Sequence, residues 1–161
     1  MCGYIGAISY KRDYKDIIQN ANKNLICRGP DNLSELNIND NLFINLIFNR
    51  LSILDLSESA NQPMISNHNS ILMFNGEIYN HLELRKHLQS KKVKFNTDHS
   101  DSEVVLNGLD SEGIKFIEKL RGQFAIFYLN RKNKKIYIAR DRLGQKPLYY
   151  KLENKEIFFS S

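Results

Sequence analysis

The residue with the most chemistry to offer is Cys2, in the opening run Met1-Cys2-Gly3-Tyr4-Ile5-Gly6. If Met1 is removed, a thiol and a free α-amine come to share one residue. Removal is compatible with the small Cys2 side chain and the Gly3 behind it. The amine titrates at about 7.7–8.0 and the thiol at about 8.5. Near neutral pH the amine can therefore take the thiol proton, directly or through one water, and later return it to a leaving amine. No separate His–Asp relay is needed, just as a terminal threonine can use its own amine as base. Taken alone, Cys2 reads equally well as a small apolar residue opening an edge strand.

Such a nucleophile needs an oxyanion stabiliser, a clamp for the charged end of its substrate and shielding from water. Phe74-Asn75-Gly76-Glu77-Ile78-Tyr79-Asn80 follows an apolar strand. There Asn75 can offer a side-chain amide and Gly76 a backbone N–H toward one point; the plain alternative is an Asn-Gly turn. Arg50 ends a strand, where a guanidinium suits bidentate capture of a carboxylate or simply faces solvent. Asp101, in Ser100-Asp101-Ser102-Glu103, reads first as a helix cap and second as a carboxylate for an ammonium group. Arg50 and Asp101 together suit a zwitterionic amino acid.

The elements that must position these residues are short. Segments 4–9, 42–48, 70–74, 123–129, 135–139, 148–151 and 156–159 read as strands, the fourth and fifth forming a hairpin across the basic run Arg131-Lys132-Asn133-Lys134-Lys135. Asp13 caps a predicted helix with Ile17, Ile18, Ala21 and Leu25 on one face. Leu84 and Leu88 mark a second helix, Val104, Val105 and Leu109 a third, and Ile114, Ile117 and Leu120 a fourth. This order is an α+β domain rich in antiparallel strands, not a regular βαβ alternation. Segments 33–41 and 57–66 are not assigned to an element and have room for mobile covering loops.

Composition sets the bounds. The 161 residues suit one domain, and 42% apolar with 25% charged residues is ordinary for a globular chain. The net charge of +5 is dispersed among acidic neighbours, and the one dense basic run lies at a hairpin tip, which argues against nucleic acid. No apolar run approaches the roughly 18 residues of a membrane span, and no signal peptide is visible. Cys2 and Cys27 are the only cysteines and the four histidines form no ligand pair, so neither a disulfide framework nor a metal site is expected. A reducing, cytoplasmic setting is the default. No dinucleotide or triphosphate loop occurs.

Seven motifs occur in order: Met1-Cys2-Gly3-Tyr4-Ile5-Gly6, Arg28-Gly29-Pro30-Asp31, Asn49-Arg50-Leu51-Ser52-Ile53-Leu54-Asp55, Asn61-Gln62-Pro63-Met64, Asn75-Gly76-Glu77-Ile78-Tyr79-Asn80, Ser100-Asp101-Ser102-Glu103-Val104 and Arg140 through Tyr149. With them the whole chain resembles the N-terminal glutaminase domain of glutamine-hydrolysing asparagine synthetases. These are class II glutamine amidotransferases of the N-terminal-nucleophile hydrolase fold. Arg50-Leu51-Ser52-Ile53 and Gly76-Glu77-Ile78-Tyr79 favour that branch over the glutaminase domains of glucosamine-6-phosphate synthase and amidophosphoribosyltransferase.

The resemblance implies a four-layer αββα sandwich of two antiparallel sheets. It implies that Cys2 attacks the carboxamide of L-glutamine and that Asn75 and Gly76 hold the oxyanion. Arg50 would bind the α-carboxylate, Asp101 with Glu77 the α-amine, and the backbone of Leu51, Ser52, Ile53 and Leu54 would line the pocket. Cys27 stands where the family often has histidine, and the segment before Asp101 is one residue longer than in some relatives, which sets Asp101 rather than Asp98 at the amine. The expected partner is a synthetase domain or subunit that receives ammonia; its Ser-Gly-Gly-x-Asp-Ser loop is not in this chain, which therefore reads as a fragment or excised domain. No cofactor is expected in this domain, ATP and Mg belonging to the synthetase part; a homodimer is compatible. Two alternatives stand beside this reading. The acceptor could be a sugar or another carboxylate in surface-polysaccharide synthesis, or, with Met1 retained, the domain could dock without catalysis.

Overall fold

The computed structural model describes every residue except Met1 and Leu54. In chain order the elements are β1 Gly3–Ser9, α1 Lys15–Asn22, β2 Asn32–Asn39, β3 Phe43–Arg50, β4 Met64–Ile65, β5 Ile71–Ile78, α2 His81–Ser90, α3 Asp101–Glu112, β6 Gly122–Asn130, β7 Lys135–Arg140, β8 Tyr149–Glu153 and β9 Glu156–Ser160. Short 3-10 turns occupy Ile26–Arg28, Glu58–Ala60 and Ile114–Lys119. The chain divides into two compact units, Met1–Leu51 with Pro147–Ser161, and Ser52–Lys146.

The first unit is a five-stranded sheet in the order β2-β3-β1-β9-β8, antiparallel at every pairing. Apolar residues of β1 and β3, Ala7 and Ile47, pack with Tyr14 and Ile18 of the α1 region, partly covered by Ile5 and Phe158. The chain's two ends are tied together within this sheet: Ser161 donates its N–H to Tyr4 at 2.9 Å. Glu156 accepts from Ser9 at 2.8 Å and from the Tyr14 hydroxyl at 2.6 Å, and those two bonds hold its carboxyl below the usual carboxylate range.

The second unit is a four-stranded antiparallel sheet, β4-β5-β6-β7, with α2 and α3 on one face. Leu72, Phe74 and Ile78 of β5 share a core with Leu84 and Leu88 of α2 and with Val104, Val105 and Leu109 of α3. The β6–β7 hairpin turns through the exposed basic run, as expected for solvated charge. Glu112 at the end of α3 gathers His87 at 2.7 Å, Lys91 at 2.6 Å and Lys119 at 2.5 Å. The hydrogen bonds from Lys119 and then Lys91 lower its pKa to about 2.

Several expectations are corrected. Segment 33–41 is no covering loop but largely the edge strand β2, whose half-buried and exposed residues alternate along its length. Few of its side chains are apolar because an edge strand needs to cover only one face. Segment 57–66 contains a 3-10 turn and β4. The helix at 15–22 has no side-chain cap. Asp13 instead accepts from the Lys15 N–H at 2.9 Å and from Asn45 of β3 at 2.7 Å, and Leu25 lies beyond the helix. The fourth predicted helix is the 3-10 turn Ile114–Lys119, with Phe116 rather than Ile114 buried. Among the described residues no helix is long and apolar enough to cross a membrane, and no group of three His, Cys, Asp or Glu residues is arranged to hold a metal.

Candidate active site

In the first unit the sheet register pairs Gly3 with Asn49. Carried on by one residue, that register sets Cys2 beside Arg50, the last residue of β3. The Leu51 N–H donates to the Cys2 sulfur at 3.3 Å, and the thiol lies 3.5 Å from the Leu51 carbonyl. Cys2 is half-buried, whereas Cys27 is exposed on its 3-10 turn. Arg50 is buried, with only 6% of its surface exposed, and its carbonyl accepts from the Asp31 N–H at 3.0 Å. The preceding residue is locked in turn: Asn49 and Asn22 exchange side-chain amide bonds of 2.6 and 3.3 Å. Gly29 sits where a β-carbon would come within 2.2 Å of the Asn49 carbonyl oxygen, so the chain can pass this close only as glycine.

Arg28 was not singled out from the sequence. Its side chain runs along Gly3, with Cδ 3.3 Å from where a β-carbon would stand there, and its Nη2 is buried with no hydrogen-bond partner among the described residues. A charged nitrogen left open beside the Cys2–Gly3 backbone is costly unless it serves a ligand or water. The sequence signal was Arg28-Gly29-Pro30-Asp31 itself. Ser52 and Ile53 follow Leu51 in the second unit, Ile53 being largely exposed; Leu54 lies outside the described residues, as does Met1.

In the second unit the strand expected over 70–74 runs further, and the alternative Asn-Gly turn does not form. β5 continues through Ile78, and Asn75, Gly76 and Glu77 pair with Ala125, Phe124 and Gln123 of β6. Tertiary pairing overrides the local Asn-Gly preference. A β-carbon on Gly76 would fall 2.2 Å from the Gln123 carbonyl oxygen, and one on Gly122 would fall 2.1 Å from that of Glu77. The two strands therefore approach over a pair of glycines. Side chains alternate along the strand, so Asn75 lies on the face opposite Phe74 and Ile78, where it is 1% exposed.

The N–H groups of β5 alternate as well. Those of Phe74 and Ile78 point to the edge on which β4 pairs, and so does that of Gly76 between them. β4 pairs with Leu72 and Ile71, and among the described residues no strand lies beside the rest of this edge. Gln62 Oε1 takes the Phe74 N–H at 2.6 Å and Asp101 Oδ2 takes the Ile78 N–H at 3.0 Å. The donors flanking Gly76 are thus satisfied by side chains.

Asp101 does not cap α3. Ser100 does, accepting from the Glu103 N–H at 3.3 Å, so that Asp101 is the first helical residue and its carboxylate reaches β5. Burial pushes the Asp101 carboxyl above its ordinary pKa; the Ile78 N–H and the charge of His81 work the other way, and Glu77 adds to the rise. Asp98, by contrast, is exposed. The turn leading to Asp101 is held by buried Arg85, which donates to the Thr97 carbonyl at 2.6 Å, the Thr97 hydroxyl at 3.2 Å and the Ser100 carbonyl at 3.1 Å. Glu103 completes the support by accepting from the N–H groups of Asn96 at 2.7 Å and Thr97 at 2.9 Å.

The predicted residues thus fall into two groups. Cys2, Arg50 and Leu51 gather in the first unit, and Asn75, Gly76, Glu77 and Asp101 gather in the second. The first group holds a half-buried thiol on the Leu51 backbone and, one residue earlier in the chain, a buried arginine, the side-chain types that a nucleophile and a carboxylate clamp require. The second group holds the Gly76 backbone on the β4-facing edge of β5, a buried amide at Asn75 and a desolvated carboxylate at Asp101, the group types that an oxyanion and an ammonium would require.

The profile of the glutamine amidotransferase domain matches residues 1–161. The whole chain aligns with an asparagine synthetase [glutamine-hydrolyzing] of Bacillus subtilis at 38% identity, covering 26% of that protein. It aligns with a putative asparagine synthetase [glutamine-hydrolyzing] of Methanocaldococcus jannaschii at 35% identity, covering 34% of that protein. The chain spans about a quarter to a third of these relatives. Among solved structures, the B. subtilis glutamine phosphoribosylpyrophosphate amidotransferase superposes with a TM-score of 0.76 at 17% identity, over 98% of this chain and 41% of that one. At that identity the likeness establishes the fold, the α+β class with two antiparallel sheets expected of an N-terminal-nucleophile hydrolase.

Proposed function

The chain belongs to the glutamine amidotransferase domain family, and on that premise we propose that it hydrolyses L-glutamine to glutamate and ammonia through a thioester on Cys2, for a synthetase part of an asparagine-synthetase-type protein. The observation that carries this reading is the 3.3 Å bond from the Leu51 N–H to the Cys2 sulfur, which holds the thiol at the end of β3 beside buried Arg50.

The chemistry runs in two halves. With Met1 removed, the Cys2 α-amine accepts the thiol proton and the sulfur adds to the carboxamide carbon of glutamine. Negative charge moves to the carboxamide oxygen, where the Asn75 amide and the Gly76 N–H receive it. The carbon–nitrogen bond then breaks, the amine returns its proton to the leaving nitrogen, and ammonia departs. Water adds to the thioester, the carbon–sulfur bond breaks, and glutamate leaves with the thiol restored. Arg50 binds the α-carboxylate as a charge-assisted pair. Asp101, with Glu77, binds the α-ammonium; a bound cation stabilises the ionised form that burial disfavours in the free protein. Leu51, Ser52 and Ile53 line the pocket with their backbone groups. Glutamine and water balance both halves, so this domain works without a cofactor. ATP and magnesium belong to the synthetase part, which takes the ammonia in the cytoplasm.

Cys2→Ala tests the assignment. Ammonia release from glutamine falls to background while the thermal midpoint stays that of the parent; equal rates for the two proteins reject Cys2 as the nucleophile. The intact mass of the active protein lacks one methionine, because a blocked amine cannot serve as base.

A further inference from the structure

Gln62 takes part in none of the chemistry above, yet its buried amide joins the two elements on which that chemistry depends. The register that pairs Ile65 with Ile71 and Met64 with Leu72 would, carried on by two residues, set Gln62 opposite Phe74. Pro63 has no N–H to offer a ladder, and β4 begins only at Met64. The Gln62 side chain takes over where the backbone stops. Its Oε1 accepts the Phe74 N–H at 2.6 Å and its Nε2 donates to the Phe74 carbonyl at 3.1 Å, reproducing the two bonds of an antiparallel partner. The same Nε2 lies 3.2 Å from the hydroxyl of Ser102, the second residue of α3. Gln62 and Ser102 are 5% and 7% exposed, so water does not substitute readily for these bonds.

We infer that Gln62 is a positioning residue for the oxyanion donors, a side-chain surrogate strand that fixes Phe74 and thereby aims the neighbouring Asn75 amide and Gly76 N–H. The inference rests on the roles proposed above for Asn75 and Gly76. Stretch 75–77 is held at both ends: Gln62 grips Phe74 on one side, and Asp101 grips Ile78 on the other. Asp101 is itself a proposed substrate ligand. Gln62 is not, so its removal loosens one end while every proposed contact to glutamine remains available.

The test is a kinetic cycle on the 161-residue chain. Gln62→Met keeps the side chain's volume and removes all three bonds. It lowers kcat for ammonia release by about 10- to 100-fold, as expected when a reacting group is misplaced on the ångström scale. In the Asn75→Ala background the same substitution changes kcat by no more than about twofold, because the aim it disturbs is already lost. A role confined to stability would instead subtract the same factor in both backgrounds, and that result overturns the inference, as does an unchanged kcat in Gln62→Met. Should Gln62→Met not fold, Ser102→Ala removes only the link to α3. It lowers kcat by about 3-fold in the parent and leaves the Asn75→Ala protein unaffected; equal effects in both overturn the proposal. A parent protein that releases no ammonia, or a Cys2→Ala variant that still does, overturns the functional reading itself, a result distinct from failure of the cycle.

Discussion

The two units hold their proposed functional groups in different ways. In the first, the proposed nucleophile Cys2 sits one residue before β1, half-buried, with its thiol bonded to the Leu51 backbone. In the second, Asp101 and the strand bearing Asn75 and Gly76 are buried and cross-linked by Gln62, Ser100, Arg85 and Glu103. The difference matches what each group must do. A nucleophile has to move through a bond-forming trajectory and carry an acyl group, whereas donors to a developing charge work best when they need not reorganise. Rigidity is concentrated around the groups proposed to receive charge.

The comparison can be sharpened by exchanging one kind of loss for the other. Asn75→Ala should lower kcat by the order of 10²–10³ with little change in KM, while Arg50→Ala should leave kcat nearer the parent and raise KM for glutamine by about 10- to 100-fold. Steady-state glutaminase kinetics on both variants check this, and a KM effect from Asn75→Ala would break the division of labour. Next in size is Arg85→Ala. It removes three hydrogen bonds and leaves Glu103 buried without its cation, which should cost about 3 kcal/mol of stability and raise KM through a displaced Asp101. Denaturant unfolding at neutral pH, read with the glutamine KM, measures both.

The smallest effect lies outside either site. The folded pKa of Glu112 is lowered from 4.5 to about 2. Its contribution is therefore fully present above about pH 4.5 and disappears as the pH falls through about 2. Glu112→Gln should cost no more than about 1 kcal/mol at pH 7, since its lysine partners are roughly half exposed, and the gap to the parent should close in acid. A gap that widens on acidification would contradict the assignment.

Much of the fold was legible because the central strands are apolar runs. β1, β3, β6 and the β6–β7 hairpin announce themselves through Ile, Phe and Leu with a basic turn between. β2 was not legible, because an edge strand carrying Asn, Ser and Glu has the period of a strand without its hydrophobicity. The extension of β5 through Asn75-Gly76 was not legible for a different reason. The pair's turn preference is local, and what decides its conformation is β6, some fifty residues downstream. The α3 cap could have been placed from sequence, since Ser100 and Glu103 stand at the Ser-x-x-Glu spacing of a capping box. Here only the Ser100 half forms, because Glu103 turns to the 96–97 backbone. Arg28 and Gln62 lay in plain sight within their motifs. Their importance depends on what stands opposite them across a sheet, which spacing along the chain does not encode.

The close approach of β5 and β6 over Gly76 and Gly122 has a consequence for anyone reading tolerance from a saturation library. Each position rejects every larger residue on contact with the facing carbonyl, whether or not the protein is asked to turn over substrate. Depletion at Gly76 under selection for activity would therefore be matched at Gly122 under selection for abundance alone, and a catalytic signature at Gly76 emerges only after the second profile is subtracted from the first.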